Sequence, residues 1–407
     1  MTLIECFTES HVDNIAASLR LQPDKVVMVG KADQMRAPVV RYRQLLKKRG
    51  QNTQIVVCPV DQKDFRAICA VLEALVQEPD EYVIDLTGGD ELVTMAAGAM
   101  LAGLDEQKRR SIRVEKYDWD LDAVVDCMND NRELPQKSVN LTVEELIALH
   151  GGSLLPGAYQ PPSSCRRKDL AGLWNIVFED PKGWNRSIML LNEFECRADS
   201  KSQVYLPLRY LPGRISNYAK KEAIVRDLLD KLQLQGVIDD QSTPNALEYT
   251  YRSPMLRFCT LKAGNILEVK TLLEGRGIME NGVPYFHDCC MGVSIDWDGI
   301  LYDPEEQIPE TRNEIDVVMM HDTTPLFISC KNGSIGDDEL YKLHTVATRF
   351  GGPHARKMLI ATDLDQKSSS ADRAFVQRAW DMDIFLVTDA AELSPTEWQQ
   401  LFLKAVQ

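Results

Sequence analysis

Three side chains in the last third of this 407-residue chain could carry out hydrolytic chemistry together: Glu268, Asp316 and Lys331. Asp316 closes the run Asn313-Glu-Ile-Asp316, and Lys331 closes Ser329-Cys-Lys331. Between them lies a turn, His321-Asp-Thr-Thr-Pro325. If the two runs pair as a hairpin centred near residues 322 and 323, Asp316 falls opposite Ser329. Two-residue alternation then puts Ser329 and Lys331 on one face with Cys330 turned away. A carboxylate at that point can hold Mg²⁺ or Mn²⁺, and a lysine can position or activate water or stabilise charge on phosphorus. Glu268, in a helix expected over Asn265–Leu273, can face the same metal, with the Cys330 backbone carbonyl as a further ligand. Glu314 shares the strand face of Asp316 about 7 Å along and is a substitute ligand.

A second constellation lies near the start. Tyr82-Val-Ile-Asp-Leu-Thr-Gly-Gly-Asp90 runs from a buried strand into a glycine turn and then a small-residue helix. Thr87 supplies a hydroxyl, and Gly88 and Gly89 permit positive φ and close backbone approach. The helix start beyond Asp90 offers N–H groups to an anion. The first strand ends in Phe7-Thr-Glu-Ser-His11. Thr8, Glu9, Ser10 and Asn14 would therefore line the same edge. Neither a Walker A motif nor GxGxxG is present, which disfavours ordinary NTPase and dinucleotide readings.

These residues need a scaffold. Strands are expected at Thr2–Cys6, Lys25–Val29, Thr53–Val57, Glu81–Leu86 and Ile112–Lys116, alternating with helices at Val12–Leu19, Pro38–Arg49, Lys63–Gln77 and Glu91–Leu101. This alternation predicts a mostly parallel, Rossmann-like sheet with ligands beyond the strand C-termini. Residues 136–165 read as a linker with one capped helix. Residues 166–260 read as irregular with one helix, Ala219–Leu234, and a strand, Leu247–Arg252, compatible with a winged-helix-like module. A second α/β unit follows from 261 to 407. Its strands are expected at Val293–Trp297, Glu314–His321, Leu326–Cys330, Lys357–Thr362 and Ile384–Val387, with helices Asp337–Phe350 and Ala371–Trp380. The basic run Arg41–Arg49 reads as a solvated helix face with Val39, Val40, Leu45 and Leu46 inward. Cys289 and Cys290 lack the second ligand pair a zinc site needs.

The Asp85-Leu-Thr-Gly-Gly turn resembles the signature of CARF domains, the Rossmann-like sensors of CRISPR systems. That family often has Asn at the position of Asp85 and Thr-Lys at the positions of Asp90 and Glu91. The second unit resembles the PD-(D/E)xK restriction-endonuclease core over roughly residues 264–362. The phrases around Asn313–Val317, Phe327–Gly333 and Phe350–Gly352 resemble effectors that join the two. The resemblance implies a homodimer in which cyclic oligoadenylate, most simply cyclic tetra-adenylate, binds across residues 1–135. It also implies a Mn²⁺- or Mg²⁺-dependent endonuclease at residues 261–407 that cuts DNA or RNA, single-stranded nucleic acid above all, in type III CRISPR antiviral defence. In that family the position two before the lysine is commonly acidic, and here it is Ser329. The alternative is a regulator without catalysis, binding nucleic acid through residues 166–260 beside a degenerate nuclease fold.

Composition sets outer bounds. With 46 basic and 61 acidic residues the net charge is −15, which argues against a diffuse basic nucleic-acid binder. Residues 291–340 hold twelve acids against Arg312 and Lys331, so about two-thirds of the excess surrounds the proposed metal site. Apolar runs are too short for a membrane span. The start shows no secretory pattern, and ten scattered cysteines suit a reducing, cytoplasmic setting.

Overall fold

A computed structural model describes the chain except for residues 119, 120, 122, 156–158, 197–202, 300–311, 334, 363–369 and 407. The acidic residues at 303, 305, 306 and 310 fall outside the described residues. The chain divides into two compact units. The first comprises Met1–Leu154, Ile295–Arg312 and Arg349–His354; the second comprises Leu155–Ser294, Asn313–Thr348 and Ala355–Gln407.

The first unit is built on a seven-stranded sheet. Its strands are β1 (Thr2–Cys6), β2 (Lys25–Gly30), β3 (Gln54–Pro59), β4 (Tyr82–Asp85), β5 (Ile112–Asp118), β6 (Ala123–Asp126) and β7 (Arg132–Glu133), in the spatial order β3-β2-β1-β4-β5-β6-β7. The first five are parallel, as the strand–helix alternation requires, and β6 and β7 add antiparallel rungs at one edge. Strands buried on both faces read as continuous apolar runs, and β2 does so from Val26 to Val29. The helix expected from Pro38 instead begins at Ala32, so Pro38 lies inside it and is buried. Its inward face is Met35, Val39, Tyr42, Leu45 and Leu46, while Val40 is half exposed. The basic residues of this helix are not simply solvated. Arg41 donates to the Leu149 carbonyl, Arg43 to that of Ile55, and Arg49, just past its end, to Glu145 and the Asn140 carbonyl.

The register of this sheet aligns four acids in one row: Glu5 opposite Asp85, Asp85 opposite Glu115, and Glu115 opposite Asp126. All four are buried. Arg20 and Arg113 both pair with Glu115, and Glu5 Oε2 has no hydrogen-bond partner. Burial, then the neighbouring Asp85 and Glu115 charges, push Glu5 well above the usual carboxylate range. Burial raises Asp85 to about 6, against the lowering effect of its bonds from Thr87.

The second unit centres on a sheet whose strands run in the order Ile384–Val387, Arg356–Ala361, Thr324–Lys331, Arg312–His321, Asp288–Asp296. The Thr324–Lys331 strand pairs antiparallel with Arg312–His321 and parallel with Arg356–Ala361. Residues 166–260 correct the expectation of irregular structure. Besides Tyr218–Leu234 they hold helices Arg167–Glu179 and Pro181–Glu195. The break between those two is Asp180-Pro181, which caps and starts the second one. Strands Gln203–Pro207, Ile238–Asp240 and Ala246–Tyr251 form an antiparallel sheet with the last strand in the middle. One continuous apolar core runs from Leu170 to Val406 and includes Trp184, Phe194, Tyr249, Leu267, Met319 and Phe402.

The shifted carboxyl of Asp85 predicts a pH-dependent stability. A carboxyl whose folded pKa is raised stabilises the fold below its unfolded pKa near 4, and that contribution is lost as pH rises through about 6. Asp85→Asn keeps an oxygen acceptor for Thr87 but cannot ionise. It should melt near wild type at pH 4 and higher than wild type at pH 7.5, a gap of up to about 3 kcal/mol. Parallel melting curves across that range would show that Asp85 ionises freely in the fold.

Candidate functional sites

At the open edge of the first sheet, the β1 loop and the Thr87-Gly88-Gly89 turn meet. A Cβ on Gly88 would sit 2.4 Å from the Thr8 side chain, and one on Gly89, at φ +104°, 2.6 Å from Cys6 Cβ. Only glycine lets the turn lie this close to the strand end. The expected ligand residues then separate into two groups. Asn14, fully buried, accepts from the Thr8 N–H at 2.8 Å and donates to the Thr8 carbonyl at 2.7 Å and to the Tyr42 hydroxyl at 3.1 Å. Ser10 is buried and accepts from the Asp13 N–H. The Thr87 hydroxyl donates to Asp85 and accepts from the Tyr117 N–H at 2.9 Å. Asp90 accepts from the Leu92 N–H at 2.9 Å and so caps the helix that was expected to offer its N–H groups to an anion. These four side chains shape the edge. Thr8, Glu9 and the backbone of Gly88 and Gly89 are left to line it.

Sequence reasoning missed Tyr42 and His11 here. The buried Tyr42 hydroxyl bonds His11 Nδ1 at 2.8 Å, and His11 packs edge-on against His150. Burial, then His150 and the Arg41 and Arg349 charges, lower His11 to about 3, so it is neutral at pH 7. Only the full helix register from Ala32 reveals Tyr42 as inward.

The hairpin of the second unit forms in the expected register. Val317 faces Ile328 and His321 faces Thr324, so the turn is Asp322-Thr323, with Asp322 at φ 49°. Paired rungs stop at Val317. One residue further, the Asp316 carboxylate takes the place of the ladder: Oδ2 accepts from the Cys330 N–H at 2.6 Å and the Ser329 hydroxyl at 3.2 Å. Lys331 Nζ lies 3.8 Å from the same oxygen and 2.9 Å from Glu339 Oε2. Burial draws Lys331 down, but Asp316 and Glu339 together outweigh it and hold the ammonium above its ordinary range. Lys331 is thus a charged donor rather than a base.

Glu268 approaches from helix Asn265–Arg276. A Cβ on Gly275 would lie 2.4 Å from Met319, so this glycine sets the helix directly on the strand that carries Asp316. Burial, then the Asp316 and Glu314 charges, raise Glu268 to about 7. Cys330 points inward, with its thiol donating to the Thr271 hydroxyl at 3.5 Å. Asn332 fixes the turn after Lys331. Its amide donates to the Ala263 carbonyl at 3.2 Å, it accepts from the Thr362 hydroxyl at 2.6 Å, and its own carbonyl accepts from Asn185 at 2.8 Å. His321 lies at the far end of the hairpin, five residues and about 17 Å of strand from Asp316. It stacks on Tyr285 and takes no part.

Among the described residues no group of three or more His, Cys, Asp or Glu side chains is close enough to hold a metal ion on its own. What the site does present is hard oxygen donors that repel one another, since Asp316 and Glu314 both raise Glu268. That donor set fits a hydrated Mg²⁺ or Mn²⁺, which keeps several waters and needs only one or two carboxylates.

Residues 257–393 match the family model described as the Card1-like endonuclease domain. Over its whole length the chain is similar in fold to protein VC1899 from Vibrio cholerae, with a TM-score of 0.73, 18% identity and coverage of 100% of this chain and 97% of that one. It is similar also to Can2 from Sulfobacillus thermosulfidooxidans, solved with cyclic tetra-adenylate, with a TM-score of 0.64, 16% identity and coverage of 100% and 97%. A type III CRISPR defence DNA nuclease activated by cyclic oligoadenylate aligns at a TM-score of 0.51 and 16% identity, over 89% of this chain and 45% of that one. No curated protein matches the chain in sequence. The fold is shared with these structures along the whole chain, with the two α/β regions that the sequence led one to expect. No described helix is long and apolar enough to cross a membrane.

Because Asn14 satisfies both backbone groups of Thr8, Asn14→Ala should strand two polar groups at a buried position. The expected loss is about 2–3 kcal/mol of stability by urea denaturation. A loss under about 0.5 kcal/mol would mean that water replaces the amide and the loop is not held as described.

Proposed function

We propose that this chain is a cyclic-oligoadenylate-activated, Mn²⁺- or Mg²⁺-dependent endonuclease of type III CRISPR defence. It would cut DNA or RNA, single-stranded nucleic acid first, as a cytoplasmic homodimer. The observation that carries the reading is the convergence of Asp316 and Lys331 within 3.8 Å at the end of the hairpin, inside a stretch that matches an endonuclease family. In functional terms the division is a sensor over residues 1–135, a linker over 136–165, a winged-helix-like module over 166–260 and a nuclease over 261–407. The activator would lie on Thr8, Glu9, Gly88 and Gly89, with Ser10, Asn14, Thr87 and Asp90 shaping the bed beneath it. Cyclic tetra-adenylate is the ligand this reading favours, given the similarity to the Can2 fold.

At the nuclease site Asp316 and Glu268, with the Cys330 carbonyl, would hold the metal. When bound, the ion supplies Lewis-acid polarisation of a phosphate oxygen and an acidified water. Lys331, kept protonated by its two carboxylates, donates to the phosphate oxygens as negative charge grows on them. A water oxygen would attack phosphorus in line, its proton passing to solvent, as the bond to the leaving oxygen breaks and that oxygen takes a proton from solvent. Ser329 and the Cys330 N–H fix the orientation of Asp316 throughout.

A second reading has two observations in its favour. Ser329 is neutral, and no ready three-donor cluster exists among the described residues, as in a ligand-responsive regulator whose nuclease fold no longer cuts. One experiment separates the two. Full-length protein is incubated with single-stranded DNA or RNA, Mn²⁺ and cyclic tetra-adenylate. Cleavage should require both additions and fall at least ~100-fold in Lys331→Ala, as expected for losing a donor to the transition state, while cyclic tetra-adenylate still binds. Ligand binding without cleavage under any metal would establish the regulator instead.

A further inference from the structure

Glu268 and Lys331 come from different elements, a helix and a strand end, and a single helix from residues 166–260 grips the chain beside both. Trp184 and Asn185 are neighbours in helix Pro181–Glu195. The buried Trp184 donates from Nε1 to the Ala263 carbonyl at 3.0 Å. Ala263 lies in the loop that enters helix Asn265–Arg276, which carries Glu268. Asn185 donates from Nδ2 to the Asn332 carbonyl at 2.8 Å, directly after Lys331. Asn332 links the two points by donating its own amide to the Ala263 carbonyl at 3.2 Å. The chain presses against Asn185 here: a Cβ on Gly333, at φ +125°, would sit 3.1 Å from Asn185 Nδ2. By this point the antiparallel rungs have ended at Val317, and the Lys331 carbonyl accepts from the Thr362 N–H at 3.2 Å on the other side. Asn185 thus holds the strand where its hairpin partner no longer does.

The Asn185 amide is used on one side only. Its Oδ1 is buried and has no hydrogen-bond partner among the described residues. The Asn332 carbonyl can only accept, so the amide nitrogen must face it and the oxygen is left over. A buried acceptor without a donor weakens a fold. Stability of the helix therefore does not call for an asparagine at this position, whereas the N–H given to Asn332 does.

We propose that helix Pro181–Glu195 is a positioning element of the nuclease site, with Asn185 the residue that sets where Lys331 leaves its strand. Trp184 does the same for the loop that leads to Glu268, so consecutive residues of one helix reference both elements to each other. This gives the segment 166–260 a part in the cutting site itself. What Lys331 does once it is placed rests on the nuclease reading above; that Asn185 places it does not.

The test uses full-length Asn185→Asp, which keeps the shape of asparagine but turns an acceptor toward the Asn332 carbonyl, with Asn185→Ala as a second variant. Hydrogen exchange followed by mass spectrometry needs no cleavage. The peptide covering residues 329–333 should exchange ~3–10-fold faster in both variants, as for the loss of one hydrogen bond, with the rest of the hairpin unchanged. With activator, metal and substrate present, kcat should fall ~10–100-fold, as for a misplaced charged group. KM and cyclic tetra-adenylate affinity should stay as in wild type. Wild-type exchange across residues 329–333 in Asn185→Asp would overturn the assignment and leave the nuclease reading standing. So would exchange that rises throughout the chain, which would make Asn185 an ordinary support of the fold. A raised KM with kcat kept would also overturn it, by making Asn185 a substrate contact. If wild type cuts nothing, the nuclease reading falls, and the exchange of residues 329–333 still decides whether Asn185 holds the end of the strand.

Discussion

The proposed nuclease site depends on one hydrogen bond, from the Cys330 N–H to Asp316 Oδ2. Two strands that have exchanged backbone bonds up to Val317 and Ile328 stop doing so at the next rung, and a side-chain carboxylate takes the place of a carbonyl. A charge-assisted bond of this kind contributes about 1.5–3 kcal/mol. Its larger consequence is geometric. It fixes the Asp316 carboxylate at the point where the adjacent strand ends and Lys331 emerges. The lysine has its charge held high there, and the helix that follows can bring Glu339 to the same place. Without that bond, the end of the hairpin would be free to splay, and three elements would lose their common reference.

The two sites follow opposite polar logic. In the first unit three polar side chains around the turn and the β1 loop are satisfied from within: Asn14 by Thr8 and Tyr42, Thr87 by Asp85 and Tyr117, Asp90 by the helix it caps. Such a surface is built before any ligand arrives. In the second unit carboxylates outnumber nearby cations, and burial and mutual repulsion raise both Asp316 and Glu268. A site that holds its acids at an electrostatic disadvantage is one that a cation improves.

What the sequence revealed and what it hid follow from the range of the forces involved. The pairing of Asp316 with Ser329 and the convergence of Lys331 were legible, because a tight turn and a period of two determine a hairpin register locally. The strand–helix alternation of the first unit was legible for the same reason. Glu339 was not. Its position depends on the path of residues 332–336 and on helix docking, while its sequence context is indistinguishable from an ordinary acidic helix start. The row of Glu5, Asp85, Glu115 and Asp126 was equally hidden, because it depends on pairings between strands up to eighty residues apart. Asn14 and Ser10 were read as sharing one edge, with their direction unknown. Periodicity says which residues share an edge, not which of them turn inward to build it.

In the proposed reading, the departures from the CARF motif bear on how the first site would recognise phosphate. The position where relatives often have lysine holds Glu91, and Asp90 already occupies the helix N-terminus next to the turn. An anion at this edge would meet backbone N–H groups and small side chains rather than a formal positive charge. Recognition of that kind relies on how closely the backbone can approach, which is set by Gly88 against Thr8 and Gly89 against Cys6. It also relies on Thr87 being held still, and Asp85 does this by accepting from both its N–H and its hydroxyl. Burial raises the pKa of Asp85, and the two bonds from Thr87 offset part of that rise. The same residue therefore sets the shape of the turn and the pH sensitivity of the sheet beneath it.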